Sequence, residues 1–247
     1  MAYRRRRGPA DGGSPGLPRA RNRLLATLPR DTAAALERVL EPLDLLQGQV
    51  LHRAGHPIQS VYFPDGALIS LVANDGDERT VEVATVGNEG FLGLPVVLGG
   101  PATPAPFTAT CQVAGPARRG SAGELCAVVR GSVALQSLLL RYALAFTIHA
   151  AQGVACNRLH DTRQRLTCWL LLAHDRIGLD EIVLTQQVLA MMLGVRRATV
   201  GEVAGALQRA GAIAYRRGQV SVVDRARLEG TACGCYRIVR GAFDATL

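Results

Sequence analysis

The chain has 247 residues, 48% hydrophobic and only 4% aromatic, with a formal net charge of +8. That length and apolar mass allow one large or two ordinary domains with real cores. They exclude a disulfide-stapled miniprotein, a collagen-like repeat and a wholly disordered chain. Every basic residue is arginine, and the charge is uneven: residues 1–30 carry +7, residues 31–155 carry −4 and residues 156–247 carry +5. Basic segments attract polyanions, of which nucleic acid is the commonest in a cytoplasm. A solvated basic surface without a partner accounts for the same numbers.

Six cysteines stand at 111, 126, 156, 168, 233 and 235, with no Cys-x-x-Cys pair. That pattern reads as free thiols in a reducing compartment. No apolar run approaches the roughly 20 residues that span a bilayer. Arg4–Arg7 is followed by Gly, Pro and Ser instead of an apolar segment, so it is not a secretory signal. A cytoplasmic protein with no membrane partner is expected.

Residues 1–20 show no apolar period and read as a disordered basic tail. A short helix is expected from Asn22 to before Pro29, then a second one, capped by Asp31, that carries Leu36, Val39 and Leu40. Between about 43 and 115, glycines alternate with short β-rich runs: 49–52, 60–63, 67–73, 79–84 and 107–113. Such spacing predicts an antiparallel sandwich or barrel. Asn74-Asp75-Gly76-Asp77 suits a hairpin turn.

From Ser132 to about His160 the glycines nearly vanish. Leu135, Leu138, Tyr142, Ala145, His149, Gln152, Cys156 and Leu159 follow alternating steps of three and four. A helix with this seam is expected to be about 40 Å long. It either pairs with a second copy of itself, which a 3.5-residue repeat favours, or lies on its own barrel. His149 reads as a partly exposed seam residue, with titration at a dimer interface as the other option. A further helix over 161–175 presents Leu166, Trp169, Leu170 and Ala173 on one face, with Trp169, the single tryptophan, packing the core.

Residues 184–213 carry the chemistry. Thr185 suits the N-cap of a helix burying Val188, Leu189 and Met192, and Gly194 suits a sharp turn. A second helix from about Arg197 to Ala210 has apolar Val200, Val203, Ala204 and Leu207. Two short helices joined at a glycine, the second starting Arg-Arg-Ala-Thr, make a helix-turn-helix whose second element would enter a major groove. Arginine there can pair bidentately with guanine. Residues 213–224 then read as a β-hairpin with Arg216, Arg217 and Gly218 at its tip, a wing placed to meet phosphate.

These residues resemble the Crp/Fnr family of transcription regulators. Thr185-Gln186-Gln187-Val-Leu-Ala and Val195-Arg196-Arg197-Ala198-Thr199-Val200-Gly201 are similar to the family's Thr-Arg-Gln-Glu-Ile-Ala and Cys-Ser-Arg-Glu-Thr-Val-Gly. Gly48, Gly55, Val61-Tyr-Phe, Gly66 and Gly87-Asn-Glu-Gly-Phe-Leu-Gly93 resemble its jelly-roll sensor. The resemblance, covering about 22–247, implies an α+β chain in three parts after the tail. These are a cyclic-nucleotide-binding-like antiparallel jelly-roll barrel (21–130), a dimerisation helix (131–160) and a winged helix-turn-helix (161–247). It implies that Arg197 reads guanine and that Thr185, Gln187, Arg196 and Thr199 touch phosphates. The full set of expected DNA contacts is Thr185, Gln186, Gln187, Arg196, Arg197, Thr199, Val200, Glu202, Arg216 and Arg217. Ala198 and Glu202 depart from the family pattern, so the operator is expected to be a related palindrome and not the family's usual half-site.

An effector pocket is expected around Gly93, Leu94, Pro95, Thr108 and Ala109. The family's cyclic-nucleotide cassette is not matched: Leu94 stands where a ribose-binding Glu is usual, and no Arg lies between 80 and 117. A buried cyclic phosphate without a cation is costly, so tight binding of cyclic AMP or cyclic GMP is not expected. Cysteines before Cys111 that could hold an N-terminal iron–sulfur cluster are absent. Cys233-Gly-Cys235 does not complete a four-ligand site by itself, so packed free thiols and no metal or cofactor are expected. The expected partners are palindromic double-stranded DNA, a second copy, an unknown small-molecule effector and RNA polymerase. The alternative is a sensor or interaction protein whose C-terminal module binds nucleic acid nonspecifically or another protein. No Gly-x-Ser-x-Gly, Walker loop, Gly-x-Gly-x-x-Gly or His-Glu-x-x-His occurs, so no enzyme is expected.

Overall fold

The computed structural model describes residues 22–74 and 80–247. The basic tail and residues 75–77 of the expected hairpin turn lie outside the described residues. The described residues begin with two helices: α1 (Arg23–Ala26), capped by the Asn22 side chain on Leu25 N–H, and α2 (Arg30–Glu37). Pro29 stands at the N-cap of α2, and Asp31 sits one position inside, in its first turn. Pro29 pre-sets the entry φ, and an acid in the first turn suits the helix dipole, which is why the expected Asp31 cap is displaced.

Seven strands follow: β1 (Leu40–Leu45), β2 (Val50–His52), β3 (Ser60–Pro64), β4 (Leu68–Asn74), β5 (Thr80–Val86), β6 (Thr108–Val113) and β7 (Gly115–Ser121), with α3 (Leu94–Gly99) between β5 and β6. They form two antiparallel sheets, ordered β1-β7-β3 and β2-β6-β4-β5. Both sheets contribute to one shared core, in which Leu45, Tyr62 and Ala117 from the first meet Ile69, Leu71, Val86 and Cys111 from the second. This is the expected antiparallel sensor sandwich of the jelly-roll kind. Strands β1 and β7 do not match the expected β-rich runs, and Leu40 belongs to β1 instead of the second helix.

After α4 (Ala122–Arg130), helix α5 runs Val133–Leu159, with the Ser132 side chain accepting from Leu135 N–H at its start. Most of the expected seam is inside the protein, although Gln152 is half-buried and Leu159 at its end is exposed. Leu135, Leu138, Tyr142 and Ala145 pack with Leu24, Phe63, Phe91 and Leu125, while Phe91 N–H donates to the Tyr142 hydroxyl. His149 is buried too, between the rings of Phe146 and Phe243, which corrects its expected partial exposure. Burial and the nearby Arg176 charge hold its imidazole well below the usual range. The opposite face carries a second stripe with the same step: Leu140, Leu144, Thr147, Ala151, Val154 and Arg158, all exposed. The apolar residues of α5 therefore split between two faces. The helix is also apolar enough, with a mean hydropathy of 1.3, to cross a membrane by length and composition alone, which corrects the reading that no run qualifies.

Helix α6 (Thr162–Ile177) starts with a capping box in which Asp161 and Gln164 bond reciprocally. It is followed by β8 (Glu181–Val183), α7 (Gln186–Leu193), α8 (Arg197–Arg209), β9 (Ile213–Arg216), β10 (Gln219–Val222), α9 (Arg225–Thr231) and α10 (Cys235–Asp244). Leu166, Leu170, Leu189, Met192, Val200, Leu207, Val220 and Leu228 form the C-terminal core. Helix α10 folds back onto α5, so Val239 and Phe243 join the sensor-side cluster.

Among the polar links between the sensor part and the C-terminal part, two are made by α6. Arg176 on α6 donates from Nε to Glu89 Oε1 at 3.0 Å, both side chains being nearly fully buried. The same guanidinium bonds Thr85 and lies over the Phe243 ring at 5.5 Å. On the other side, Trp169 Nε1 donates to Glu82 Oε1 at 2.7 Å. Trp169 thus does more than the core packing expected of it. Burial pushes the Glu82 carboxyl up to about 7, against hydrogen bonds from Ser70 and Trp169 that favour ionisation.

Candidate nucleic-acid interface

The helix-turn-helix is built by short-range rules. The Thr185 hydroxyl accepts from Val188 N–H and caps α7. Gly194 then takes φ 61°, a left-handed value that ends α7 at little steric cost. Arg196 is the extended N-cap of α8 and makes no side-chain cap, so the first amides of α8 stay open. Three of the expected apolar positions, Val200, Ala204 and Leu207, are the buried face of α8.

The wing is a two-residue hairpin. β9 and β10 pair from Arg216↔Gln219 to Ile213↔Val222, and the turn residues Arg217 and Gly218 have φ 48° and 81°. Positive φ at both centres is the type I′ requirement, which matches the strand twist. The wing tip touches the start of α7: Leu184 N–H donates to Gly218 O at 2.7 Å, and the Tyr215 hydroxyl donates to Leu184 O at 3.1 Å. The tip and the Thr185 cap therefore stand side by side.

Thr185, Gln187, Arg196, Arg197, Glu202, Arg216 and Arg217 are exposed, and Gln186 and Thr199 half-buried. Arg197 Nε donates to Gln186 Oε1 at 3.4 Å, which brings α7 and α8 together at the tip. Among the described residues, none of Arg196, Arg197, Arg216 and Arg217 takes part in an ion pair. Val200 is the exception in the expected set. It is 0% exposed and sits in the C-terminal core, so it supports α8 and offers no surface to a ligand. Arg197, three residues earlier, stays exposed because it is the first residue of α8. Tyr215 was not foreseen. It is half-buried beside Gln186 and Arg197, and burial raises its phenol.

The expected effector residues are not gathered at one place. Gly93 is the N-cap of α3 and leads into Leu94 and Pro95, whereas Ala109 is buried in β6, inside the sheet core. Thr108 lines a cavity of about 510 Å³ together with Ser70, Val72, Phe107, Gln112 and, from α7, Met191. No charged residue is among the described residues that line it. Separately, Cys156 and His160 stand beside Cys233 and Cys235, a grouping the sequence did not reveal because 77 residues separate Cys156 from Cys233.

Residues 164–231 match the Crp-like helix-turn-helix domain. Over those residues the chain has a Crp-like helix-turn-helix domain, and as a whole it has the fold of solved Crp/Fnr regulators. Solved structures agree over most of its length. FixK2 from Bradyrhizobium japonicum aligns with a TM-score of 0.61 at 16% identity, covering 79% of this chain and 98% of that one. A CRP-family transcriptional regulator from Thermus thermophilus gives 0.58 at 19%, covering 77% and 96%. CooA from Carboxydothermus hydrogenoformans gives 0.57 at 13%, covering 87% and 97%. At these identities the likeness is one of fold. No curated protein matches the chain by sequence.

Proposed function

We propose that this protein is a homodimeric, sequence-specific DNA-binding transcription regulator that reads a palindromic operator. The observation that carries the reading is the placement of Arg196 and Arg197, in no ion pair among the described residues, at the open start of α8, beside the Thr185 cap and an Arg216–Arg217 wing tip. In a major groove, Arg197 pairs bidentately with a guanine, while Gln186 holds its guanidinium in place. The open α8 amides, Thr185, Gln187, Arg196 and Thr199 take phosphates, and the wing takes the neighbouring strand. Glu202, five residues after Arg197 and also exposed, suits a cytosine amino group.

Dimerisation runs through the exposed α5 stripe of Leu140, Leu144 and Val154, which are 61%, 63% and 73% exposed in the single chain. A two-fold dimer then sets two α8 helices about one turn of DNA apart. The cavity under Met191 is the effector site, lined among the described residues by Ser70, Val72, Phe107, Thr108 and Gln112. A ligand there would press directly on α7. RNA polymerase is the further partner such a regulator implies. Selection of bound duplexes from a random library tests the reading. A two-fold symmetric motif with a constant guanine in each half supports it, and recovery of unbiased sequence refutes it.

A further inference from the structure

Cys156 lies near the end of α5, and His160 is that helix's C-cap, four residues on. Cys233 and Cys235 flank Gly234, the N-cap of α10, and Cys235 is the first residue of that helix. The three sulfurs and one imidazole nitrogen of these side chains all lie within 4.8 Å of one another. Cys156 Sγ and Cys233 Sγ are 3.6 Å apart, and Cys235 Sγ and His160 Nδ1 are 3.5 Å apart. Tetrahedral ligands at Zn–S of about 2.3 Å and Zn–N of about 2.0 Å stand about 3.8 Å apart for two sulfurs and about 3.5 Å for sulfur and nitrogen. The two measured separations are near those edges. They are longer than a disulfide bond of about 2.05 Å, and all six cysteines are free.

We infer that Cys156, His160, Cys233 and Cys235 bind a single zinc-class divalent ion as a closed Cys₃His site. Soft thiolates with one imidazole in tetrahedral array select zinc over magnesium or calcium. The three cysteines are buried and His160 is half-buried, which gives a closed structural site with an entry path on the histidine side. Gln152 Nε2 donates to Cys235 Sγ at 3.1 Å and supplies an outer hydrogen bond to a thiolate. Binding replaces three S–H protons with the ion, so three protons leave per ion and the occupied site carries one net negative charge. Thiolates that hold a four-iron cluster each bind a different iron, and sulfurs this close suit one shared ion. The ion staples the end of α5 to the first turn of α10. Because α10 packs against both α5 and the sensor core, the ion fixes the corner at His160 from which the helix-turn-helix hangs.

The test uses the full-length protein, reduced and freed of metal by a chelator, titrated with cobalt(II) and then with zinc(II). The expected result is one cobalt per chain, with intense visible bands of tetrahedral geometry and a near-ultraviolet thiolate-to-cobalt band, all bleached by one equivalent of zinc. Cys233→Ser should remove the thiolate band, while Cys126→Ser, at a buried cysteine far from the cluster, should keep it. His160→Ala should weaken the metal by more than the roughly 10- to 100-fold typical of an outer-shell loss. Substoichiometric cobalt, octahedral bands only, a brown iron–sulfur chromophore in protein purified without oxygen, or a Cys156–Cys233 disulfide in freshly isolated protein would each overturn the inference.

Discussion

The two faces of α5 make opposite predictions, and Leu144 and Leu138 separate them. Leu144 is 63% exposed in the single chain, and Leu138 is 3% exposed among Leu24, Phe63 and Leu125. Burying a leucine fully is worth about 1.5–3 kcal/mol, so covering the exposed share of Leu144 contributes about 1–2 kcal/mol per copy. A two-fold dimer counts each residue twice. Leu144→Ala should therefore cost about 2–4 kcal/mol of association and raise the dimer Kd about 30- to 700-fold. The fold itself should change little, since the side chain leaves no cavity in the single chain. Leu138→Ala should do the reverse. It opens a cavity in the sensor core, costs about 2–5 kcal/mol of folding stability, and lowers Tm by several degrees per chain of this size. Sedimentation equilibrium and thermal unfolding on the same preparations decide between the faces. If Leu138→Ala yields folded monomers while Leu144→Ala stays dimeric, the dimer forms through the other stripe and the assignment is wrong.

Arg176→Ala should destabilise the protein by about 3–5 kcal/mol, because it leaves the Glu89 carboxylate buried without its cation. Glu89→Gln in the same chain should recover part of that loss in chemical denaturation, and strictly additive losses would refute the pairing. Glu82 predicts a pH slope. Its folded pKa of about 7 is above the unfolded carboxylate value, so the folded state holds the proton more tightly. Its contribution to stability is fully present below the unfolded pKa and is lost as pH rises towards and through about 7. Glu82→Gln should flatten that part of the stability profile, and an unchanged slope would assign it elsewhere.

The readable parts of the sequence were those written in local rules. Ser132, a glycine-poor stretch and His160 bounded α5 to within a residue. Thr185, Gly194 and the Arg217-Gly218 turn located the helix-turn-helix and wing, because capping and positive φ depend on near neighbours. What stayed hidden depended on tertiary context. Two stripes with the same step run along α5, and periodicity cannot say which one the barrel covers. Strand β7 contains Gly115, Pro116 and Gly120 and reads as loop, yet it pairs with both β1 and β3 as the central strand of its sheet. Strand propensity yields to such pairing. Val200 occupies a motif position whose period turns it inward. Arg176 and Glu89, like Cys156 and Cys233, meet only after the chain has folded over long separations.

The central claim, that Arg197 reads a base from the start of α8, is tested most directly by fluorescence anisotropy at fixed salt. The wild type and Arg197→Ala are titrated with the selected operator, with each single-base variant of one half-site, and with random duplex. The account predicts a loss of about 1–3 kcal/mol on the operator per reading contact, roughly 5- to 150-fold, with discrimination lost at one guanine and random-duplex affinity only slightly reduced. Equal affinity and unchanged base preference in the variant would contradict it.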